Sequence, residues 1–187
     1  FNMSLSPANI FLIIGSNGVG KSTLIPLLKS RLSNNFHLYD FDERGVPNNA
    51  DRTWRQSEMF HWLELGRKNL ESNISTVVCG FIKPNEIVEA SRELGVHPQV
   101  CLLDVDETNL KERLLSRYQN DKNIKELMRT TSKTVDKFIE DNVHASLFLR
   151  KTSQEYFFHI LDTNQLTPAL VAEDVLLWIM QYKTETL

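Results

Sequence analysis

Short apolar runs alternate along this chain with longer stretches whose apolar residues recur every three or four positions. The first run, Ile10 to Ile14, is uniformly apolar and bounded by Asn9 and Gly15. It predicts a strand buried on both faces, the kind found in parallel sheets. A helix is predicted from Gly20 to about Leu32, with Leu24, Leu27, Leu28 and Leu32 at helical spacing. Pro26 falls inside it, where a missing N–H normally costs stability, so a first-turn or kinked position is expected. Phe36 to Tyr39 predicts a second strand. Asp40 to Asp51, with Gly45, Pro47, Asn48 and Asn49, predicts a loop.

Thr53 to Leu70 predicts a helix with Trp54, Met59, Trp62, Leu63 and Leu70 as core candidates. Thr76 to Cys79 predicts the third strand. Pro84 opens a helix that Gly95 stops after Leu94. Val100 to Leu103 is the fourth predicted strand, and Glu107 to Tyr118 the next helix. After a break at Gln119 to Asp121, helical periodicity resumes near Ile124 and runs to about Lys151. Tyr156 to Leu161 predicts a fifth strand and Pro168 to Tyr182 a closing helix. Strands that alternate with helices imply parallel strands with helices on both faces. Ligands in such sheets bind beyond the carboxyl ends of the strands.

The 187 residues suit one domain with a single core. Lys and Arg number 21 against 24 Asp and Glu, a net charge of −3, so bulk charge gives nucleic-acid binding no support. No stretch approaches the ~20 apolar residues of a membrane helix, and no secretory signal is read before the first strand. Cys79 and Cys101 lie in apolar runs and are read as reduced thiols. A cytoplasmic location is therefore expected. Phe1 and Asn2, ahead of Met3, are set aside from the fold reading.

Gly15-Ser16-Asn17-Gly18-Val19-Gly20-Lys21-Ser22 matches GxxxxGK[ST] in full, between an apolar strand and an amphipathic helix. Glycines let such a loop turn its amides inward around a phosphate, and the helix start aims its positive end at the same anion. Lys21 is expected to reach the β- and γ-phosphates, Ser22 to hold Mg²⁺ through its hydroxyl, and Thr23 to follow as part of the cradle. After the second strand, Asp40 and Asp42 alternate onto one side if extended backbone continues. One carboxylate can serve Mg²⁺ and the other can accept a proton from an acceptor hydroxyl.

With these motifs the chain resembles the P-loop small-molecule kinases of the gluconate- and shikimate-kinase-like group, relatives of the nucleoside monophosphate kinases. The resemblance runs from Asn9 to Tyr182. It implies a three-layer α/β/α sandwich with a five-stranded parallel sheet in the order 2-3-1-4-5. It also implies an acceptor-binding segment at about 40–72 and a lid at about 119–131, within one domain over 3–187. By resemblance, Asp40 serves the metal and Asp42 the acceptor. Arg52 and Arg55 lie where such kinases bind the acceptor; they share a helix face and are either an anion clamp or two solvated arginines. Where many P-loop proteins end the third strand with a metal-linked aspartate, Cys79 and Gly80 stand here, and Gly80 is read as allowing a ligand close to the backbone. Lys83 is read first as an exposed loop lysine.

Arg113 and Arg117, four apart, resemble the pre-lid pair in which one arginine packs on adenine and the next reaches the phosphates. In the lid, Lys122, Lys125 and Arg129 are candidates to meet the transferring phosphoryl group, with Arg129 chosen for its two-pronged guanidinium. Thr163 and Gln165 correspond to the loop packing on adenine, beside a helix entry that Thr167 can cap. The five histidines lack metal-ligand spacing. The expected activity is transfer of the γ-phosphoryl group of ATP, with Mg²⁺, to a hydroxyl of a sugar acid, nucleoside, antibiotic or similar metabolite. The alternatives are a nucleoside monophosphate kinase and a nucleotide-binding module or ATPase acting on a macromolecule. A degenerate protein that keeps the cradle without turnover is a further reading. The expected partners are ATP and the acceptor, without nucleic acid or membrane, and the protein is expected to be a monomer or homodimer.

Overall fold

The structure, a computed structural model, describes residues 8–48 and 50–182. The assignments made for Phe1, Asn2 and Asn49 lie outside the described residues. The elements follow in the order β1 (Ile10–Ile14), α1 (Lys21–Lys29), β2 (Phe36–Asp40), α2 (Arg52–Glu71), β3 (Ser75–Gly80) and α3 (Pro84–Leu94). They continue with β4 (Gln99–Asp104), α4 (Glu107–Arg117), α5 (Asp121–Thr131), α6 (Val135–Glu155), β5 (His159–Asp162) and α7 (Pro168–Gln181). The five strands form one parallel sheet in the order β2-β3-β1-β4-β5. Every strand therefore ends on the same edge, which gathers the loops that follow β1, β2, β3 and β4.

Alternation along β1 divides the core. Phe11 and Ile13 face one layer with Leu24 and Leu28 of α1, Leu110 and Leu114 of α4, and Val175 and Trp178 of α7. Ile10, Leu12 and Ile14 face the other layer with Met59, Trp62 and Leu63 of α2 and Ile87 and Ala90 of α3. All five β1 side chains are thus buried, which is why the sequence shows an unbroken apolar run there. α6 contributes to both layers, Ile139 and Val143 to the first and Leu149 to the second.

Several element ends differ from the periodicity. The helix predicted from Ile124 to Lys151 is two helices, because Ser132 adopts φ 57° and Thr134 caps a new start by accepting from the Lys137 N–H. α6 then runs to Glu155, and Phe157 at φ 56° turns the chain, so Tyr156 caps a helix instead of opening β5. Pro26 sits in the second turn of α1, past the positions where its absent N–H would be harmless. The carbonyl of Ser22 consequently has no i+4 amide donor, while the Ser30 N–H still reaches Pro26 O at 3.1 Å.

Gly80 closes β3 for a steric reason. A Cβ there would lie 2.3 Å from Phe41 Cβ, so Phe41 packs directly against the side of Gly80 where a side chain would project. The Phe41 N–H donates to Cys79 O, and the Trp62 indole donates to Phe41 O at 3.1 Å. This packing fixes where β2 hands over to the acidic turn. Gly80→Ala is expected to lower unfolding stability by about 1–3 kcal/mol through overpacking, read as a lower urea midpoint at unchanged slope.

Candidate active site

The loop between β1 and α1 begins on a buried strand and ends on a helix whose first turn has no side-chain acceptor. Gly20 holds φ 99°, and a Cβ at that position would meet nothing within 4 Å. Backbone conformation, and not crowding, is therefore what calls for glycine there. The next amides, of Lys21 and Ser22, start α1 without a cap. Elsewhere Asp51, Asp106, Asn120, Thr134 and Thr167 each cap their own helix. An uncapped first turn with no acidic residue presents donors and a positive dipole end, which fits a phosphate.

Lys21 Nζ donates to Gly15 O at 2.8 Å and Ser16 O at 2.7 Å. Burial pulls its pKa down to about 8, against the opposing pull of Cys79, Asp42 and Asp40. Asn17 is tied to α6: its backbone N–H and its side-chain amide donate to Asn142 Oδ1 at 3.2 and 3.0 Å. Asn142 is itself buried and donates to Phe138 O at 2.8 Å. Two turns further along α6, Arg150 Nε bonds Asp104 Oδ2 at 2.8 Å at the end of β4. One helix therefore braces the phosphate loop and a neighbouring strand end together. Sequence reading missed Asn142, and nothing in its spacing marks it.

β2 ends at Asp40, and a turn over 41–44 replaces the extended continuation assumed for Asp42. The Asp42 N–H bonds Asp40 Oδ1 at 3.0 Å, and the Asp40 N–H bonds Glu43 Oε2 at 3.0 Å. Both aspartates still reach one cavity of about 350 Å³, with Gly18, Gly20, Lys21, Ser22 and Thr23 from the loop. Cys79, Gly80, Arg113 and Arg117 line the same cavity. Partial enclosure, then the neighbouring Asp40 charge, push the Asp42 pKa above the ordinary carboxylate range, with Lys21 opposing. Burial pushes the Cys79 thiol up to about 12, so it is a neutral lining group there and not a metal ligand. Among the described residues no three His, Cys, Asp or Glu side chains form a metal cage. A site built from the Ser22 hydroxyl, Asp40 and phosphate oxygens suits Mg²⁺, which takes few protein ligands.

A second cavity, about 220 Å³, adjoins the loop's other side and is lined by Gly18, Val19, Leu24, Arg113, Thr163, Leu166 and Val171 among others. Thr163 is locked from behind, with its N–H and hydroxyl on Asp104 O at 2.8 and 2.9 Å. It receives Arg113 Nη2 on its carbonyl at 2.8 Å. Gln165 is exposed and does not line this cavity; Leu166 does. A third cavity, about 540 Å³, lies beyond Asp42 and Arg117 and is bounded by the 46–48 loop, α5 and Phe138.

Besides Gln165, three more expected residues are not brought to the cavities. Arg52 bonds Glu89 at 3.0 Å and Arg55 bonds Glu86 at 3.1 Å, so α3 carboxylates take both guanidinium groups. Arg129 pairs with Glu126 at 2.7 Å on the open side of α5. The reason is helical phase. Asn123, Glu126, Leu127, Thr130 and Thr131 form the cavity face, whereas Lys122, Lys125 and Arg129 fall on another stripe.

No protein-family model matches the chain, and a search of curated proteins finds no match. Solved structures do match across nearly its whole length. The tunicamycin resistance protein of Deinococcus radiodurans aligns with TM-score 0.60 at 16% identity, covering 92% of this chain and 95% of that one. Shikimate kinase from Acinetobacter baumannii, in complex with shikimate, gives 0.59 at 18%, covering 97% of each chain. A gluconokinase from Sinorhizobium meliloti gives 0.57 at 16%, covering 97% and 99%. The chain has the fold of the P-loop small-molecule kinases, with the same sheet order that the sequence resemblance implied.

Two outcomes test this geometry. At pH 8 a nucleoside triphosphate should bind with uptake of about half a proton, because phosphate charge restores the depressed Lys21 pKa. Titration calorimetry in buffers of different ionisation enthalpy reads this. The uptake should vanish at pH 6, where the ammonium is already charged, and in Lys21→Met. Asn142→Ala should weaken the same binding about five- to tenfold, the equivalent of one lost buried hydrogen-bond anchor.

Proposed function

We propose that this protein is an ATP-dependent kinase that phosphorylates a hydroxyl of a small molecule. The observation that supports this best is convergence. Lys21, Ser22, Asp40, Asp42, Arg113 and Arg117 come from separate segments of the chain and line one cavity, which has a further cavity on either side. That order suits base, phosphates and acceptor in a row. The fold neighbours named as kinases of shikimate and gluconate support the reaction class.

In this reading the uncapped start of α1 and the loop amides hold the β- and γ-phosphates, and Lys21 leaves the loop carbonyls for phosphate oxygens. Ser22 and Asp40 would hold Mg²⁺, which offsets phosphate charge when bound. Thr163 and Leu166 flank the base, and Arg113 spans from the base cavity to the phosphates. Arg117 stands where negative charge gathers during transfer. Asp42 accepts the proton of the acceptor hydroxyl as that oxygen bonds the γ-phosphorus and the bond to the β–γ bridging oxygen breaks, which releases ADP. No helix of the described residues is long and apolar enough to cross a membrane. We place the reaction in the cytoplasm, where ATP is the common donor.

Asp42→Asn should lower kcat by about 10²–10⁴-fold with ATP affinity retained. Wild-type kcat/KM should fall as pH drops through the raised Asp42 pKa, since a protonated carboxyl accepts no proton. Asp40→Asn removes a like charge and should move that acid limb to lower pH. An acid limb that stays in place in Asp42→Asn would contradict the assignment of the base.

A further inference from the structure

The cavity beyond Asp42 has a charge pattern that selects among acceptors. The acceptor segment holds three arginines ahead of the middle of α2, and each is already committed. Arg44 bonds Glu58 at 3.2 Å, Arg52 bonds Glu89 at 3.0 Å, and Arg55 grips Glu86 with both Nε and Nη2. Glu86 is 3% exposed and Glu58 7%. Withdrawing Arg55 or Arg44 toward a ligand would leave a buried carboxylate without its partner, which is strongly unfavourable.

The cations of α5 do not help, because Lys122, Lys125 and Arg129 lie off its cavity face. Among the described residues Arg117 is the one cation that lines this chamber, and it also lines the phosphate cavity. Bound triphosphate would claim it. The charged groups then left lining the chamber are acidic: Asp42, and Glu126, whose charge is already paired with Arg129 on the open side of α5. The remaining walls are neutral: Val46, Pro47, Leu127 and Phe138 give an apolar part, with the Tyr118 ring carrying Arg117 at 5.6 Å from its centroid, and asparagine and threonine side chains give a polar part. A volume of about 540 Å³ is that of a site for a drug-sized ligand.

We infer that the acceptor is an uncharged hydroxyl compound with an apolar face, not a carboxylate or a phosphate ester. This rests on the kinase reading. A carboxylate in the chamber would meet the Asp42 charge and no free cation, since Arg117 is held by the triphosphate and Arg129 by Glu126. An uncharged hydroxyl can donate to Asp42 while its apolar part covers Leu127 and Phe138. The sugar-acid and nucleoside-monophosphate acceptors considered from the sequence are thereby disfavoured, and the nucleoside-like or antibiotic-like ones favoured.

The test uses pairs in which one member lacks the anionic group of the other. Protein loaded with the magnesium complex of a non-hydrolysable ATP analogue is titrated calorimetrically with shikimate against methyl shikimate, and with thymidine monophosphate against thymidine. Tunicamycin serves as a larger uncharged probe. The uncharged member of each pair should bind at least tenfold more tightly. Thr130→Arg, which places a cation on the chamber face at an exposed helix position, should shift that ratio about tenfold toward the anion. Tighter binding of the anionic member by the wild type overturns the inference, as does binding of no probe to the loaded protein. Failure of the ATP analogue itself to bind is a separate titration. That result would sink the kinase reading and this inference with it.

Discussion

The backbone turn that joins β1 to α1 is the constraint on which the site depends. β1 is buried on both faces, so the residue at which the chain leaves the sheet is fixed by packing. Gly20 then takes a left-handed conformation and starts a helix without a cap, which directs unpaired amides into the cavity. The turn would be floppy if left alone. Asn142 on α6 holds Asn17, and the Gly15 N–H bonds Gly80 O at the end of β3, so the loop is tied to both neighbours.

The parallel sheet does the rest of the positioning. With every strand running the same way, Asp40, Gly80 and Asp104 end on the edge where the loop sits. α4 places Arg113 and Arg117 one turn apart, so Arg113 lines the cavities of about 220 and 350 Å³ and Arg117 those of about 350 and 540 Å³. Thr163 fixes Arg113 because its own backbone and hydroxyl are spent on Asp104 O. α6 serves as a common brace, with Asn142 on the loop and Arg150 on Asp104. A helix of 21 residues thus links the loop after β1 to the cavity wall that Phe138 forms.

Much of this was legible in the order of residues. The loop motif, the acidic pair and the arginine pair of α4 are local patterns whose spacing carries their geometry. Asp40 and Asp42 reach one cavity even though a turn, and not continued strand, brings them there. Arg52, Arg55 and Arg129 were harder, because a sequence shows a cation but not its partner. Glu86 and Glu89 lie more than thirty residues from the arginines they hold, on a different helix. For Arg129 the phase of α5 was hidden by the break at Ser132, which separates two helices that share an apolar period. Asn142 is one of several polar residues, with Ser146 and Ser153, on the buried face of α6. It is legible only once the loop is seen to pass over it.

The most direct test of the account is a crystal structure of the protein with a non-hydrolysable ATP analogue and Mg²⁺. In that structure the γ-phosphate should lie between Lys21 and Asp42, the metal at Ser22 and the base against Leu166 and Arg113. A triphosphate lying outside the Gly15–Ser22 turn, or running in the reverse sense with its base beyond Asp42, would contradict it.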